Sequence, residues 1–490
     1  MPAPACTRWA RNTSFRFATT ALVFMAVLSS VALAQPAVTV SPKSGPPTDK
    51  LAVSGAGFAA EEAVDIYFDT TDLALAATSP GGSFRGIHLT IPASAQPSEH
   101  WITGVGRSSG LAAQTPFLVR RDWPQFLGGP EHHGYNSTEN VLNASNVAGL
   151  QLLWKASTQG INSSPVLVNG VIYVESLLRY LYAFDAVSGK LLWMAPAGNS
   201  SNNYAATPAV ANGVVYAVAN DGLFAFDANT GQPLWNAFSG SGTGGLTVAN
   251  GVVYVDAGDF YAVNAATGQP LWSAPIGSYF QAMAGVANGV VYKGGLDGFM
   301  YALDAATGQQ IWKSAYTLGS MGGAADVANG VVYEQSYNFF FAFDTASGQT
   351  LWSAPLDPMV SGQVSSSPAV ANGVVYEGPF AFNGVSGQLL WTAPIAGYVL
   401  STTAVANGVV YLAGGNPGSP YDLNVYALDA LTGKILWTTV TDGAVQSALA
   451  VANGVLYVTS PNTVYAFGLP PASPPVRPNP ASLQPAYPTE

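Results

Sequence analysis

The sequence predicts an all-β fold, an eight-bladed β-propeller with a small N-terminal β-sandwich. Two periodic markers and one compositional fact predict it. Asn-Gly ahead of a Val-x-Tyr segment recurs eight times, starting at positions 169, 212, 250, 288, 329, 372, 407 and 453, and units repeating at about 40 residues build rings or arrays of like modules. In seven of those units an Asp or Asn is followed by Gly four residues later and by Trp eight residues later. Charged residues are only 9% of the 490, with 53 glycines and 49% hydrophobics, against roughly 25% charged in an ordinary soluble domain. That composition suits many short, well-buried strands joined by tight turns.

Taken in chain order, residues 1–34 read as a secretory signal. Arg8, Arg11 and Arg16 precede an apolar run from Ala18 to Leu33, and Ala32-Leu33-Ala34 supplies small residues for cleavage. The competing reading is an uncleaved anchor, but about 16 apolar residues fall short of the roughly 20 needed to span a bilayer. A secreted, periplasmic or cell-surface protein with no membrane span after cleavage is expected. Residues 35–119 alternate in short segments, among them Val64-Asp65-Ile66-Tyr67-Phe68 and Trp101-Ile102-Thr103-Gly104-Val105, the pattern of a small sandwich. Residues 120–149 are a polar lead-in with too little periodicity for a fold of their own, residues 150–468 are the propeller, and 469–490 are a Pro-rich tail expected to be disordered and extended.

Within the propeller, the seven sets are Asp185-Gly189-Trp193, Asp227-Gly231-Trp235, Asn264-Gly268-Trp272, Asp304-Gly308-Trp312, Asp344-Gly348-Trp352, Asn383-Gly387-Trp391 and Asp429-Gly433-Trp437. The Asp or Asn bonds turn amides, the Gly takes positive φ, and the Trp sits in the strand that follows. Asn-Gly supplies the two positive φ angles of a type I′ hairpin. An aromatic-Ala pair ends three and two residues before each turn, as in Tyr182-Ala183 and Tyr465-Ala466. Only a methyl is accommodated there, and the ring of an adjacent blade's Trp is expected to lie over it. The eighth unit lacks its own Trp strand, whereas Leu150 to Trp154 precedes the first unit. That surplus strand is expected to close the ring, leaving no open edge.

These motifs carry two resemblances. Residues 286–312, VANGVVYKGGLDGFMYALDAATGQQIW, are similar to the pyrroloquinoline-quinone-like propeller repeat of quinoprotein alcohol dehydrogenases. Residues 41–69 and 81–106 resemble the immunoglobulin-like IPT/TIG domains of bacterial surface proteins. The first resemblance implies architecture and leaves two activities open, because its members include quinone-dependent dehydrogenases and non-catalytic outer-membrane assembly factors.

Composition narrows the function. A net charge of −11 disfavours nucleic acid. The one cysteine, Cys6, lies in the leader, so the adjacent cysteine pair that the resemblance implies for a quinone-dependent dehydrogenase is missing. All four histidines, at 88, 100, 132 and 133, precede the repeats, leaving those repeats without an imidazole for a triad. No catalytic, cofactor-binding or metal-binding residue is assigned, and pyrroloquinoline quinone with calcium enters only under the alternative dehydrogenase reading. The expected function is a monomeric scaffold binding an unknown protein, peptide or glycan. Its face is assembled from non-repeating loops: Tyr204, Tyr279, Phe280, Tyr316, Tyr337 and Tyr398, with Glu334 and Glu377 among acids that also include Glu175, Asp256, Asp259 and Asp297, read as solvated carboxylates, with a basic partner or a weakly bound cation as the alternative. Eight tryptophans, Trp154, Trp193, Trp235, Trp272, Trp312, Trp352, Trp391 and Trp437, are assigned to docking between blades.

Overall fold

The Asn-Gly pairs become hairpins in the computed structural model, which describes residues 35–160, 163–198, 206–219, 221–238, 244–276, 283–317, 319, 321, 323–336, 339–356, 367–395, 399, 401–414, 423–470 and 476–483. Asn288 and Gly289 have φ of 51° and 78°, so both central residues occupy the left-handed region that this hairpin requires. The first repeat is a four-stranded antiparallel sheet of Val166–Val168, Val171–Ser176, Tyr180–Asp185 and Leu191–Pro196. Among the described residues seven four-stranded sheets of this kind occur, and one more, running from Ala404–Ala406 to Ile435–Val440, carries Tyr135–Asn136 as a fifth strand. First strands of consecutive sheets are neighbours, and Val166–Val168 also lies beside Ala450–Ala452, the first strand of the eighth sheet. The chain is an all-β propeller with its first strands innermost.

The eighth sheet takes its outer strand from upstream of the first. Gln151–Ser157 pairs antiparallel with Thr463–Gly468, placing Trp154 opposite Ala466. No helix among the described residues is long and apolar enough to cross a membrane.

The seams between sheets correct one expectation. The residue directly across from each aromatic-Ala alanine is the Trp of its own sheet, as in Ala302 and Trp312, not that of an adjacent one. Tyr292, on the other side, also pairs with Ala302, and the Tyr292 and Trp312 rings meet with centroids 5.9 Å apart. The Trp then leans across the seam. A Cβ on Gly348, in the next sheet's turn, would lie 2.4 Å from the Trp312 ring, so this glycine is required both by its φ of 70° and by the indole. Trp312 Nε1 donates to Thr345 O at 2.8 Å. One turn carbonyl commonly accepts from both rings: Ala228 O receives Tyr173 Oη and Trp193 Nε1, each at 3.0 Å. Ala302 is fully buried between two strands that carry rings, so Ala302→Leu should cost about 1–3 kcal/mol. A thermal midpoint unchanged from wild type would refute that packing.

Upstream, a three-stranded sheet (Ala37–Ser41, Lys50–Ala56, Phe84–Thr90) and a five-stranded sheet containing Ala63–Phe68, Ser98–Gly106 and Ala112–Val119 share a core that includes Val53, Ile66, Ile102 and Phe117. The tail departs from expectation over residues 476–483. Arg477 lies 4.3 Å from the centroid of the Trp101 ring and donates from Nε to Gln114 Oε1 at 2.8 Å, while Gln114 Nε2 donates to Pro478 O at 2.9 Å. A cation–π contact and reciprocal hydrogen bonds hold that stretch on the upstream sheets, which the hydrophobic pattern alone does not reveal.

Candidate binding face

Innermost strands leave one backbone edge unpaired, and buried N–H and C=O groups require partners. The lead-in supplies them. Trp123 and Leu167 exchange both backbone hydrogen bonds, at 2.7 and 2.9 Å, on the first sheet, and Val210 N donates to Pro124 O at 2.8 Å on the second. Gln125 substitutes a side-chain amide on the third, accepting from Val248 N at 2.9 Å and donating to Val248 O at 3.2 Å. Val286, Val327, Val370 and Val405 then donate to the carbonyls of Pro130, Glu131, His133 and Gly134. Asn136 Nδ2 completes the circuit on Val451 O, in the eighth sheet, at 3.0 Å. Residues 123–136 therefore form a collar that touches every sheet in order. Two proline carbonyls serve it without an N–H to satisfy, and positive φ at Leu127, Gly128, His132 and Gly134 bends it around the axis.

The collar also carries imidazoles into the ring, which sequence position had appeared to exclude. His132 is fully buried, with Nε2 3.0 Å from Thr247 Oγ1 and 3.1 Å from Ala284 O. Burial lowers its pKa to about 4, so it is neutral at physiological pH. His133 Nδ1 lies 3.0 Å from Oδ1 of Asp326, itself fully buried. Desolvation raises the Asp326 carboxyl to about 6, held back by the His133 bond. Burial opposes the charged form of His133, but the bond and charge of Asp326 outweigh it and raise its pKa. His133→Ala should lose about 1.5–3 kcal/mol of stability by stranding this carboxyl, measured by chemical denaturation. An unchanged midpoint would show that the contact is not energetically coupled to folding.

The hairpins lie at the collar end, so the connections between second and third strands lie at the other. Here the acids divide. Asp259 and Asp297 are exposed, as expected. Glu175, Asp256, Glu334 and Glu377 are buried, because each second strand runs past its Tyr and carries these positions into the seams. Glu334 and Glu377 are thus strand residues and not solvated loop acids. Asp256 Oδ2 is 3.1 Å from the buried Lys293 Nζ. The Glu334 carboxyl presses on Gly294, where a Cβ would come within 2.3 Å of Oε1, and neither of its oxygens has a hydrogen-bond partner among the described residues. Desolvation raises its pKa to about 8, against the pull of Lys293. Glu175 is raised well above its ordinary value by burial, opposed by the Val218 backbone.

Of the aromatic candidates, Tyr316 is 58% exposed, its ring 5.6 Å from Phe299 between centroids. Tyr204, Tyr279, Phe280, Tyr337 and Tyr398 lie outside the described residues. No group of three or more His, Cys, Asp or Glu suited to a metal ion occurs among the described residues.

A family model described as outer membrane protein assembly factor BamB matches residues 138–243, 223–380, 341–423 and 380–468. The chain belongs to the BamB family. Among solved structures, BamB from Moraxella catarrhalis aligns with a TM-score of 0.53 at 18% identity, covering 65% of this chain and all of that one. Quinohemoprotein alcohol dehydrogenase from Comamonas testosteroni aligns with a TM-score of 0.60 at 17% identity, covering 72% of this chain and 82% of that chain. In sequence, that dehydrogenase is 34% identical over 85 residues, 17% of this chain and 11% of its own length. These likenesses establish the propeller fold that BamB shares with quinoprotein dehydrogenases and do not choose between their activities.

Proposed function

We propose that this BamB-family chain is a non-catalytic binding scaffold that recognises a protein, peptide or glycan through the loops at the end of the ring opposite the collar. The collar carries this reading. Residues 123–136 are bonded to all eight inner strands and so occupy the hairpin end of the ring, which favours the loop end as the binding face. We read the eight sheets as eight blades of one closed ring, residues 35–119 as an IPT/TIG-like sandwich that positions it, and the location as periplasmic or cell-surface. The role carried in the family's name, outer-membrane protein assembly, favours a protein partner.

The dehydrogenase alternative fits the residues less well. Its quinone and calcium would need converging oxygen donors, whereas Glu175 turns toward the second sheet, Asp256 is engaged by Lys293, and Glu334 packs on Gly294. These carboxyls belong to separate seams. A dye-linked alcohol oxidation assay with added quinone and calcium tests the point, and activity would overturn the scaffold reading. Peptide and glycan arrays, with Tyr279→Ala and Tyr398→Ala as probes, test the loop end. Retention of binding in both variants would move the site elsewhere.

A further inference from the structure

The repeats provide an internal control for surface chemistry, because equivalent positions recur around the ring. The turn between third and fourth strands lies at the same end as the hairpin, by antiparallel alternation. Two residues after its Asp or Asn, four sheets carry Asn229, Ala266, Ala306 and Ala346. The first, sixth and seventh sheets carry Val187, Val385 and Leu431, exposed to 86%, 87% and 86%. Nothing in the turn demands an apolar tip, since Asn and Ala serve equally.

The adjoining outer strands divide along the same line at one position, although sheets two to five also expose Leu234, Leu271, Ile311 and Leu351 directly before the Trp. Two residues before the Trp, the second to fifth sheets present Pro233, Pro270, Gln310 and Thr350. The sixth, eighth and first present Leu389, Leu152 and Leu191, each about half exposed, and the seventh has Ile435. Sheets six, seven, eight and one are consecutive around the ring, so these residues form one arc and not a scatter. Cations follow it too. The residue after the turn glycine is Gln in sheets two to six, whereas the first and seventh have Lys190 and Lys434. The turn Asp recurs on both sides of the ring and does not distinguish the arcs.

We propose that this arc of the turn face seats on an anionic phospholipid surface. Each tip projects alone from its own turn, a form suited to insertion among acyl chains rather than to a flat packed protein interface, and lysines stand beside two of the three tips at the level of the headgroups. Charge complementarity selects the lipid: in a chain of net charge −11, the lysine-for-glutamine exchanges fall beside the apolar tips. The contact lies at the end opposite the loops discussed above and does not depend on what they bind.

Flotation of the full chain with vesicles tests this, comparing phosphatidylcholine alone with phosphatidylcholine plus phosphatidylglycerol. Binding is expected to the mixed vesicles and to fall with salt. The V187S/V385S/L431S variant should weaken it at least about tenfold, and K190Q/K434Q by about 25-fold on the anionic vesicles only. A266S/A306S/A346S, on the opposite arc, should leave it intact, and thermal midpoints should match because all these side chains are on exposed turns. Failure of the wild-type chain to float would overturn the proposal, as would equal binding by the apolar triple variant. Concentration-dependent self-association in sedimentation velocity, abolished by that variant, would assign the arc to a second copy instead.

Discussion

Deletion of Gln151–Ser157 should abolish the cooperative unfolding transition of the whole ring, although it removes a single edge strand. That strand is the last sheet's only outer partner, pairing from Gln151 with Gly468 to Ser157 with Thr463. It also joins the two ends of the ring. Trp154 Nε1 donates to Ala186 O, in the first sheet's turn, at 3.0 Å, and its ring covers Gly189, where a Cβ would fall 2.6 Å away. On the other side Trp437, from the seventh sheet, donates to Leu150 O at 3.1 Å, a contact that depends on chain immediately before the deleted strand. Losing the strand therefore weakens two seams and exposes the edge of Thr463–Gly468, an invitation to intermolecular pairing. Trp154 is partly buried, so its truncation costs up to about 3 kcal/mol, and the backbone bonds lost with the strand, about 0.5–1.5 kcal/mol each, bring the total into the range of about 5–15 kcal/mol by which most domains are stable. The expected result is an aggregated or molten product by size exclusion and near-ultraviolet circular dichroism. A monomer with a wild-type thermal midpoint would show that the ring does not depend on this closure. Trp154→Ala gives the graded version, with a loss of up to about 3 kcal/mol for this partly buried ring in a chain that still folds.

That strand was legible because it carries the repeat's own Leu-Trp mark out of place. The hairpins and turn glycines were legible for the same reason, since φ requirements select residue types wherever they recur. The partner of each Trp was not. Periodicity locates Trp312 but not its register, which sets the ring opposite Ala302 of its own sheet before it reaches the next sheet's Gly348. The collar was the least legible element, because most of its bonds to the sheets come from backbone carbonyls, which any residue supplies. Side-chain bonds to the sheets come from Gln125, His132, His133 and Asn136 alone among its described residues. Glu334 and Glu377 were misplaced for a traceable reason. Each directly follows a Val-Val-Tyr segment, which marks only the start of the second strand: the first sheet's equivalent runs six residues, Val171–Ser176. The fifth sheet's second strand is buried on both faces from Val332 to Ser336, so extending it past Tyr333 puts Glu334 inside.

Stability should fall as pH rises from about 5 to about 8, and Glu334→Gln should remove a substantial share of that slope. In the unfolded chain the carboxyl ionises near 4.5, whereas in the fold it holds its proton to about 8. Below 4.5 both states are protonated and Glu334 contributes no pH dependence. Between the two values the unfolded state has released its proton while the folded state has not, so each added pH unit favours unfolding by up to about 1.4 kcal/mol. Above 8 both are ionised and the penalty is constant, on the order of 5 kcal/mol in total. Gln has nearly the same shape and never ionises. Its buried amide carries a cost of its own, but that cost does not vary with pH, so the readout is the slope of urea-derived stability against pH and not its absolute value. Glu175 and Asp326, also raised by burial, slope in the same direction and remain in the variant, which is why the comparison is a difference between two profiles. The two curves should diverge from about pH 5 and run parallel above 8, with the variant gaining on the wild type. Parallel curves throughout would mean that the Glu334 carboxyl is ionised in the folded ring at neutral pH, held there by Lys293 strongly enough to overcome its burial.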